Sequence, residues 1–236
     1  MITLLGTGHV FRIAEPVSFI VKNIWPDAVL VELDPMRYSA LMSPDGIGDI
    51  ENQPKAYRKM AKYQREVAKE NDSRVGAEFI AAVETGKTIG AAIEFIDKDA
   101  ATVMRETMEE MPFFEKMRFR FGSIRDAFSR KKNADDVIRE MAENEEGYMN
   151  SIRKRYPTLV RKMIDERDVH MAAKIKEASG RYGNIVAVIG DGHVTGIAKL
   201  LEGGTVRKIR LKTLMDPESM NALRAELWTG IPEEEE

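Results

Sequence analysis

The stretch Ile185-Val186-Ala187-Val188-Ile189-Gly190-Asp191-Gly192-His193 runs from an unbroken β-rich apolar segment into Gly-x-Gly-His, and the chain opens on the same pattern, Ile2-Thr3-Leu4-Leu5-Gly6-Thr7-Gly8-His9. Short apolar runs without polar alternation are the mark of central parallel strands buried on both faces. Glycine makes up about 7% of an average protein, so finding it one and three residues before two of the three histidines points to one shared site. Imidazole titrates near neutral pH and is the commonest metal ligand. Each motif alone also reads as a tight turn that a histidine happens to follow.

Outward from the first run, Pro16 to Trp25 has helical spacing, Trp25-Pro26-Asp27 breaks it, and Ala28-Val29-Leu30-Val31-Glu32-Leu33 is a second apolar strand. This strand, helix, strand order predicts a βαβ unit with a right-handed crossover. Asn52 to Asn71 reads as a charged helix, and the helix from Val75 to Val83 feeds a strand at Ala91 to Ile96 that ends in Asp97-Lys98-Asp99. Between Ala100 and about Tyr182 the pattern is helical throughout, a helical layer or insertion of about residues 100–182. A helix from Thr195 to Leu201 and an edge strand from Val206 to Leu211 follow. The fold class expected is α/β: a central, mostly parallel sheet flanked by helices, in one domain over residues 1–230, with the acidic end 231–236 as a disordered tail.

Composition narrows the function. With 236 residues and 43% hydrophobic content, one sizeable core is possible. The absence of cysteine excludes disulfides, thiolate metal sites and cysteine nucleophiles. A net charge of -3 gives no global field toward nucleic acid. No apolar stretch approaches the roughly 20 residues of a spanning helix, and the start lacks a secretory pattern, so a cytoplasmic protein is expected. His-Glu-x-x-His, Gly-x-Ser-x-Gly and Walker motifs are missing, and in the run Gly190-Asp191-Gly192 the third glycine, Gly196, falls one position too late for a dinucleotide fingerprint.

Polar residues just past parallel strands land where open α/β sheets bind ligands. His9, His193 and Glu32 could together hold a divalent ion, with Zn, Mn, Co and Fe all compatible with such ligands. Glu32 is equally a candidate base for a bound water, or a carboxylate capping nearby amides. Asp34 before Pro35 reads as a helix N-cap. Arg37 is placed to return across the crevice to an acid or a substrate carboxylate, or to lie exposed at a helix start. Glu166-Arg167-Asp168 is a charged trio of which helical geometry turns only one toward a site, a surface salt-bridge cluster being the commoner arrangement. His170, in a charged helix, reads as structural. Phe113 to Lys132 alternates aromatic and basic residues, a pattern open to a membrane-surface or nucleic-acid helix, but its aromatics are better explained as the buried stripe of a helix.

Leu5-Gly6-Thr7-Gly8-His9-Val10, Pro26 to Tyr38 with Glu32-Leu33-Asp34-Pro35-Met36-Arg37, and Val188 to Ile197 with Gly190-Asp191-Gly192-His193 resemble the TraB/PrgY family, whose relatives include the Tiki proteases that cleave Wnt proteins and, further off, the erythromycin esterase and ChaN-like proteins. Gly76-Ala77-Glu78-Phe79, Asp97-Lys98-Asp99 with Arg105, and Glu166-Arg167-Asp168 fit the same pattern, so the resemblance runs from Ile2 to about Leu211. It implies metal ligands His9, Glu32 and His193; catalytic candidates Glu32, Arg37, Arg105, Glu166 and Arg167; and substrate contacts at Gly8, Glu78, Asp97 and Gly192. The activity implied is hydrolysis of a peptide bond by a metal-activated water. A metal-independent His/Glu hydrolase and a non-catalytic peptide-binding protein are the alternatives, and a peptide or small-molecule substrate and a homodimer are the partners to consider. Longer relatives carry a C-terminal membrane region, and none is expected within these residues.

Overall fold

A computed structural model describes residues 1–8, 11–43, 55–70, 73–121, 145–201 and 203–228. The element order among them is β1 (Ile2–Thr7), α1 (Ala14–Ile24), β2 (Ala28–Val31), α2 (Pro35–Met42), α3 (Lys55–Glu70), α4 (Ala77–Thr88), β3 (Ala92–Phe95), α5 (Ala100–Glu110), α6 (Phe113–Phe121), α7 (Glu145–Arg155), α8 (Pro157–Val160), a π-helical turn (Arg161–Asp165), α9 (Glu166–Ser179), β4 (Ile185–Gly190), α10 (Asp191–Leu200), β5 (Val206–Ile209), α11 (Leu211–Met215) and α12 (Pro217–Leu227).

The strands form one five-stranded sheet in the order β3-β2-β4-β1-β5. Every pairing is parallel, which fits the apolar runs of β1, β2 and β4: strands covered on both faces have no solvent side to keep polar. Alternate residues feed two layers. Leu5, Val29, Val31, Val186 and Val188 face α1, α4 and α12, while Leu4, Ala28, Leu30, Ala187 and Ile189 face α9 and α10. Fully buried side chains such as Leu4, Leu5, Ile20 and Leu30 each contribute about 1.5–3 kcal/mol relative to exposure.

The order of the strands positions the site. From β1 the chain crosses through α1 on one face to β2, and from β4 it crosses through α10 on the other face to β5. The two crossovers diverge at the neighbouring strands β1 and β4, a switch point where the carboxyl ends of the strands open a crevice. The expected break after α1 is present: Trp25 caps the helix in a left-handed conformation (φ 49°) and Pro26 follows.

Two expectations change. Gly190 ends the strand as an N-cap, so α10 begins at Asp191 and His193 sits in a first helical turn instead of a loop before Thr195. Phe113 and Phe114 are 68% and 79% exposed and form no buried stripe; Phe119, partly buried, does turn inward and meets Tyr156 edge-on at 6.3 Å. The acidic end 231–236 and the rest of the basic aromatic stretch, 122–132, lie outside the described residues. Among the described residues, no helix is long and apolar enough to cross a membrane.

Candidate functional site

The site starts at the end of β2. The Glu32 N–H donates to Val188 O at 3.0 Å, extending the ladder with β4 by one residue and hanging the carboxylate over the end of that strand. There Oε2 accepts the Gly190 N–H at 2.5 Å and Oε1 accepts from Arg167 Nη2 at 2.5 Å. At 2% exposure a carboxylate keeps its charge only when paired and hydrogen-bonded, and both conditions are met.

Arg167 is the hub. Its Nε and Nη2 donate to the two oxygens of Asp97 at 2.9 and 2.7 Å, a fork-to-fork pair, and its Nη1 donates to Met163 O at 3.0 Å. Asp97, just beyond β3, also accepts from Arg37 Nη1 at 2.9 Å. Arg37 is placed by its own helix start: Asp34 caps α2 by accepting the Arg37 N–H at 2.9 Å, with Pro35 at the first helical position. Burial works against the Arg167 charge, but Glu32 and Asp97 override it and hold the guanidinium protonated more firmly than usual.

His193 closes the cluster from the other side. Its Nδ1 lies 2.5 Å from Asp168 Oδ1, and its Nε2 lies 3.5 Å from Glu32 Oε1 and 3.2 Å from Arg167 Nη1. The approach of α10 to α9 is eased by Gly196: a Cβ there would stand 2.0 Å from Asp168 Oδ2, so a larger residue forces the carboxylate away from its present place against the ring. An Arg N–H only donates, so a neutral ring would accept at Nε2 from Arg167, whereas a protonated ring donates to Glu32. The charges decide: Glu32, Asp97 and Asp168 face Arg167 and Arg37, leaving one negative charge unmatched without a proton on the imidazole. Burial pushes the ring's pKa down, but Glu32 and Asp168 win and it is pushed up to about 9. Burial raises the Asp168 carboxyl, opposed by His193.

Glu32, Arg37 and Arg167 form one wall of a cleft of about 120 Å³. Tyr57 and Gln64 of α3 supply further polar groups, and Val103, Met104 and Met163 supply apolar lining. Burial raises the Tyr57 hydroxyl, with Arg37 pulling it back. The cleft thus presents a carboxylate and two guanidiniums to a partly apolar chamber.

The predicted residues fall into three groups. Glu32, Arg37, Asp97, Arg167 and His193 meet in one network. Glu166 turns away to Arg161 and Lys162 at the surface, and Arg105 is exposed on α5. Glu78 is buried in α4; Gly8 is packed against Phe11 and Leu211, while a Cβ on Gly192 would meet open space. His9 lies outside the described residues. Two members escaped sequence reasoning, Asp168 and Gly196. The trio Glu166-Arg167-Asp168 brings two residues inside because the cluster wraps around α9, the long Arg167 reaching β2 and β3 while Asp168 faces α10. A glycine four residues after Gly192 in the same helix was the available signal for a close helix approach.

A divalent ion held by Glu32 and His193 can be tested against their donor atoms. Oε1 and Oε2 of Glu32 already accept from Arg167 and Gly190, Nδ1 of His193 is engaged by Asp168, and Nε2 faces Arg167 Nη1. Arg167 thus aims N–H donors at both would-be ligand atoms, Nη2 at Glu32 Oε1 and Nη1 at His193 Nε2, so in this arrangement the two do not fit a metal ion. Among the described residues no three His, Asp or Glu side chains form a metal-holding group.

Similarity to known proteins runs over nearly the whole length of the chain. The chain is similar to an uncharacterized protein of Methanocaldococcus jannaschii, 29% identical over 211 residues that cover 85% of this chain and 53% of that protein; the chain thus spans about half the length of this curated relative. The TraB/PrgY/gumN family profile matches residues 1–210, from β1 through β5 and including every residue of the buried network, and on that match the chain belongs to the TraB/PrgY/gumN family.

Proposed function

We propose that the chain is a hydrolase of a carbonyl-centred bond, most simply a peptide or ester bond, with Glu32 and His193 handling protons and Arg37 and Arg167 facing the charge that develops on the carbonyl oxygen. The observation that carries this reading is the position of Glu32: a buried carboxylate in the wall of a partly apolar cleft, 3.5 Å from an imidazole that Asp168 holds from behind.

The chemistry follows from the protonation states. Glu32 takes a proton from a water molecule as the water oxygen bonds to the carbonyl carbon. The carbonyl π electrons move to oxygen, where fixed guanidiniums stabilise the charge without reorganisation. When the tetrahedral carbon collapses, the bond to the leaving group breaks and that group takes the proton back from Glu32. The His193 imidazolium faces Glu32 and stabilises its ionised form, so that it begins each turnover as a base, and Asp168 fixes the orientation of the ring, the role of a carboxylate behind a catalytic imidazole. The metal-dependent form of this hydrolysis requires Arg167 to turn its donors away from Glu32 Oε1 and His193 Nε2.

The test is turnover of mixed peptide and ester libraries by the wild type, Glu32→Gln and His9→Ala, each with chelator and with added Zn, Mn or Co. Products that persist in chelator and vanish in Glu32→Gln support the proposal. Activity only with added metal transfers the mechanism to a bound ion. Tight binding of peptides by both wild type and Glu32→Gln, with no products from either, replaces the hydrolase with a capturing protein, a reading favoured by how fully Arg167 occupies the polar atoms of Asp97 and Glu32.

A further inference from the structure

Helix α6 is mounted with its apolar side outward. Glu115 is its inward residue, 5% exposed; its Oε1 accepts the N–H groups of Thr158 and Leu159 at 3.0 and 3.2 Å. Those are free donors in the first turn of α8, whose N-cap Tyr156 supplies no side-chain bond. On the same side, Phe119 meets Tyr156. This anchorage fixes the rotation of the helix: at 100° per residue, Phe113, Met117 and Phe114 share one arc opposite Glu115. They are 68%, 39% and 79% exposed, and the two phenyl rings meet edge-on at 5.7 Å.

Basic residues flank that arc. Lys116 and Arg118 are exposed on either side of it, and Arg118 Nη1 donates to Arg155 O at 2.8 Å, which brings the last turn of α7, with exposed Lys154 and Arg155, alongside. The carboxylate that α6 carries faces inward, so its outward surface is apolar at the centre and cationic at the rim. A second copy of this chain would oppose cation to cation there. An anionic bilayer matches both parts: the phenyl rings enter the acyl boundary while the lysine and arginine heads remain among the phosphates.

We propose that the outward face of α6, Phe113, Phe114 and Met117 with Lys116 and Arg118 and the end of α7, docks on an anionic lipid surface. The test is flotation of the full chain with vesicles of phosphatidylcholine alone and of phosphatidylcholine and phosphatidylglycerol in equal parts. Binding should be at least about tenfold stronger to the anionic vesicles and weaken as salt is raised. Phe113→Ser with Phe114→Ser, and separately Lys116→Glu with Arg118→Glu, should each lower it by about tenfold or more. Absence of flotation, or equal flotation on both vesicles, overturns the proposal on the unmutated chain alone. So does light scattering that finds a dimer in the unmutated chain and a monomer in the phenylalanine variant, because the face then belongs to a second copy.

Discussion

Arg161 and Arg167 lie in one continuous helical segment, and each pairs with two carboxylates. Arg161 binds Glu110 and Glu166 with 46% of its side chain exposed, while Arg167 binds Glu32 and Asp97 with 11% exposed. The geometry is alike, with closest approaches of 2.5 to 2.7 Å in both, and the physics is not. Water and salt screen the outer cluster, whereas the inner one has exchanged hydration for fixed partners and collapses if a partner is lost. The difference separates a cluster that decorates a helix from one that organises the crevice.

Removing each hub is the most direct way to break this comparison. Arg167→Ala leaves Glu32 and Asp97 buried without their shared counter-charge, and it should lower the unfolding free energy by about 3–5 kcal/mol in urea titration. Arg167→Lys keeps the charge but loses the fork that spans both carboxylates, so it should recover only part of that loss. A wild-type midpoint in Arg167→Ala would mean that the inner cluster is as dispensable as the outer one.

The next effect is one of pH. The folded-state pKa of His193 is raised from 6.5 to about 9, so the folded chain holds this proton more tightly than the unfolded chain. The resulting stabilisation is fully present below pH 6.5 and is lost as pH rises through 9. A shift of that size corresponds to about 3 kcal/mol. His170 is pushed the other way by burial and Lys98, so its contribution has the opposite sign and lies below pH 6.5. Urea midpoints measured from pH 6 to pH 10 should fall across this window in the wild type and stay flatter in His193→Asn. An unchanged slope in the variant would place the charge balance of the crevice elsewhere.

Much of the inner cluster was legible in the sequence because strand ends are legible. Apolar runs located β1, β2 and β4, and the polar residues that follow a parallel strand have one place to go; this gave Glu32, Asp97 and His193, and the short distance from Glu32-Leu33-Asp34 gave Arg37 as a side chain able to return across the crevice. Asp168 was not readable, since its partner lies on another helix and adjacent helical positions diverge by about 100°. The start of α10 was also misread, because Gly190 and Gly192 signal a loop to any local rule, yet Gly190 acts as a cap and Gly192 continues the helix. For α6 the sequence favours a buried stripe over a surface helix for a related reason: periodicity gives the arc of apolar residues but not the direction it faces, which Glu115 sets through a contact far along the chain.

The two glycines of α10 sharpen the comparison at the scale of single methyl groups. Gly196→Ala drives a Cβ to 2.0 Å from Asp168 Oδ2, and because His193 holds that carboxylate the strain should cost about 1–3 kcal/mol. The same substitution should also lower the His193 pKa, visible by NMR titration of the ring, as Asp168 is displaced. Gly192→Ala meets open space and removes a flexible residue from a helix, so it should be neutral or stabilise by roughly 0.4–1 kcal/mol. Equal effects at the two positions would show that α10 is not held against α9 by the Asp168–His193 contact.

The smallest effect belongs to the outer hub, and its smallness is informative. Lys162 lies beside Arg161 and is buried, its ammonium reaching Glu110 at 2.6 Å and Glu166 at 3.2 Å, carboxylates whose own side chains are 45% and 33% exposed. With that second cation on both of its carboxylates, Arg161→Ala should leave the melting temperature close to wild type. Any residual shift should disappear in molar salt, where exposed pairs are screened within about 3 Å. The destabilisation by Arg167→Ala, set by burial, should survive the same salt. A salt-sensitive loss at Arg167, or a salt-resistant one at Arg161, would mean that depth in the fold is not what distinguishes the two clusters.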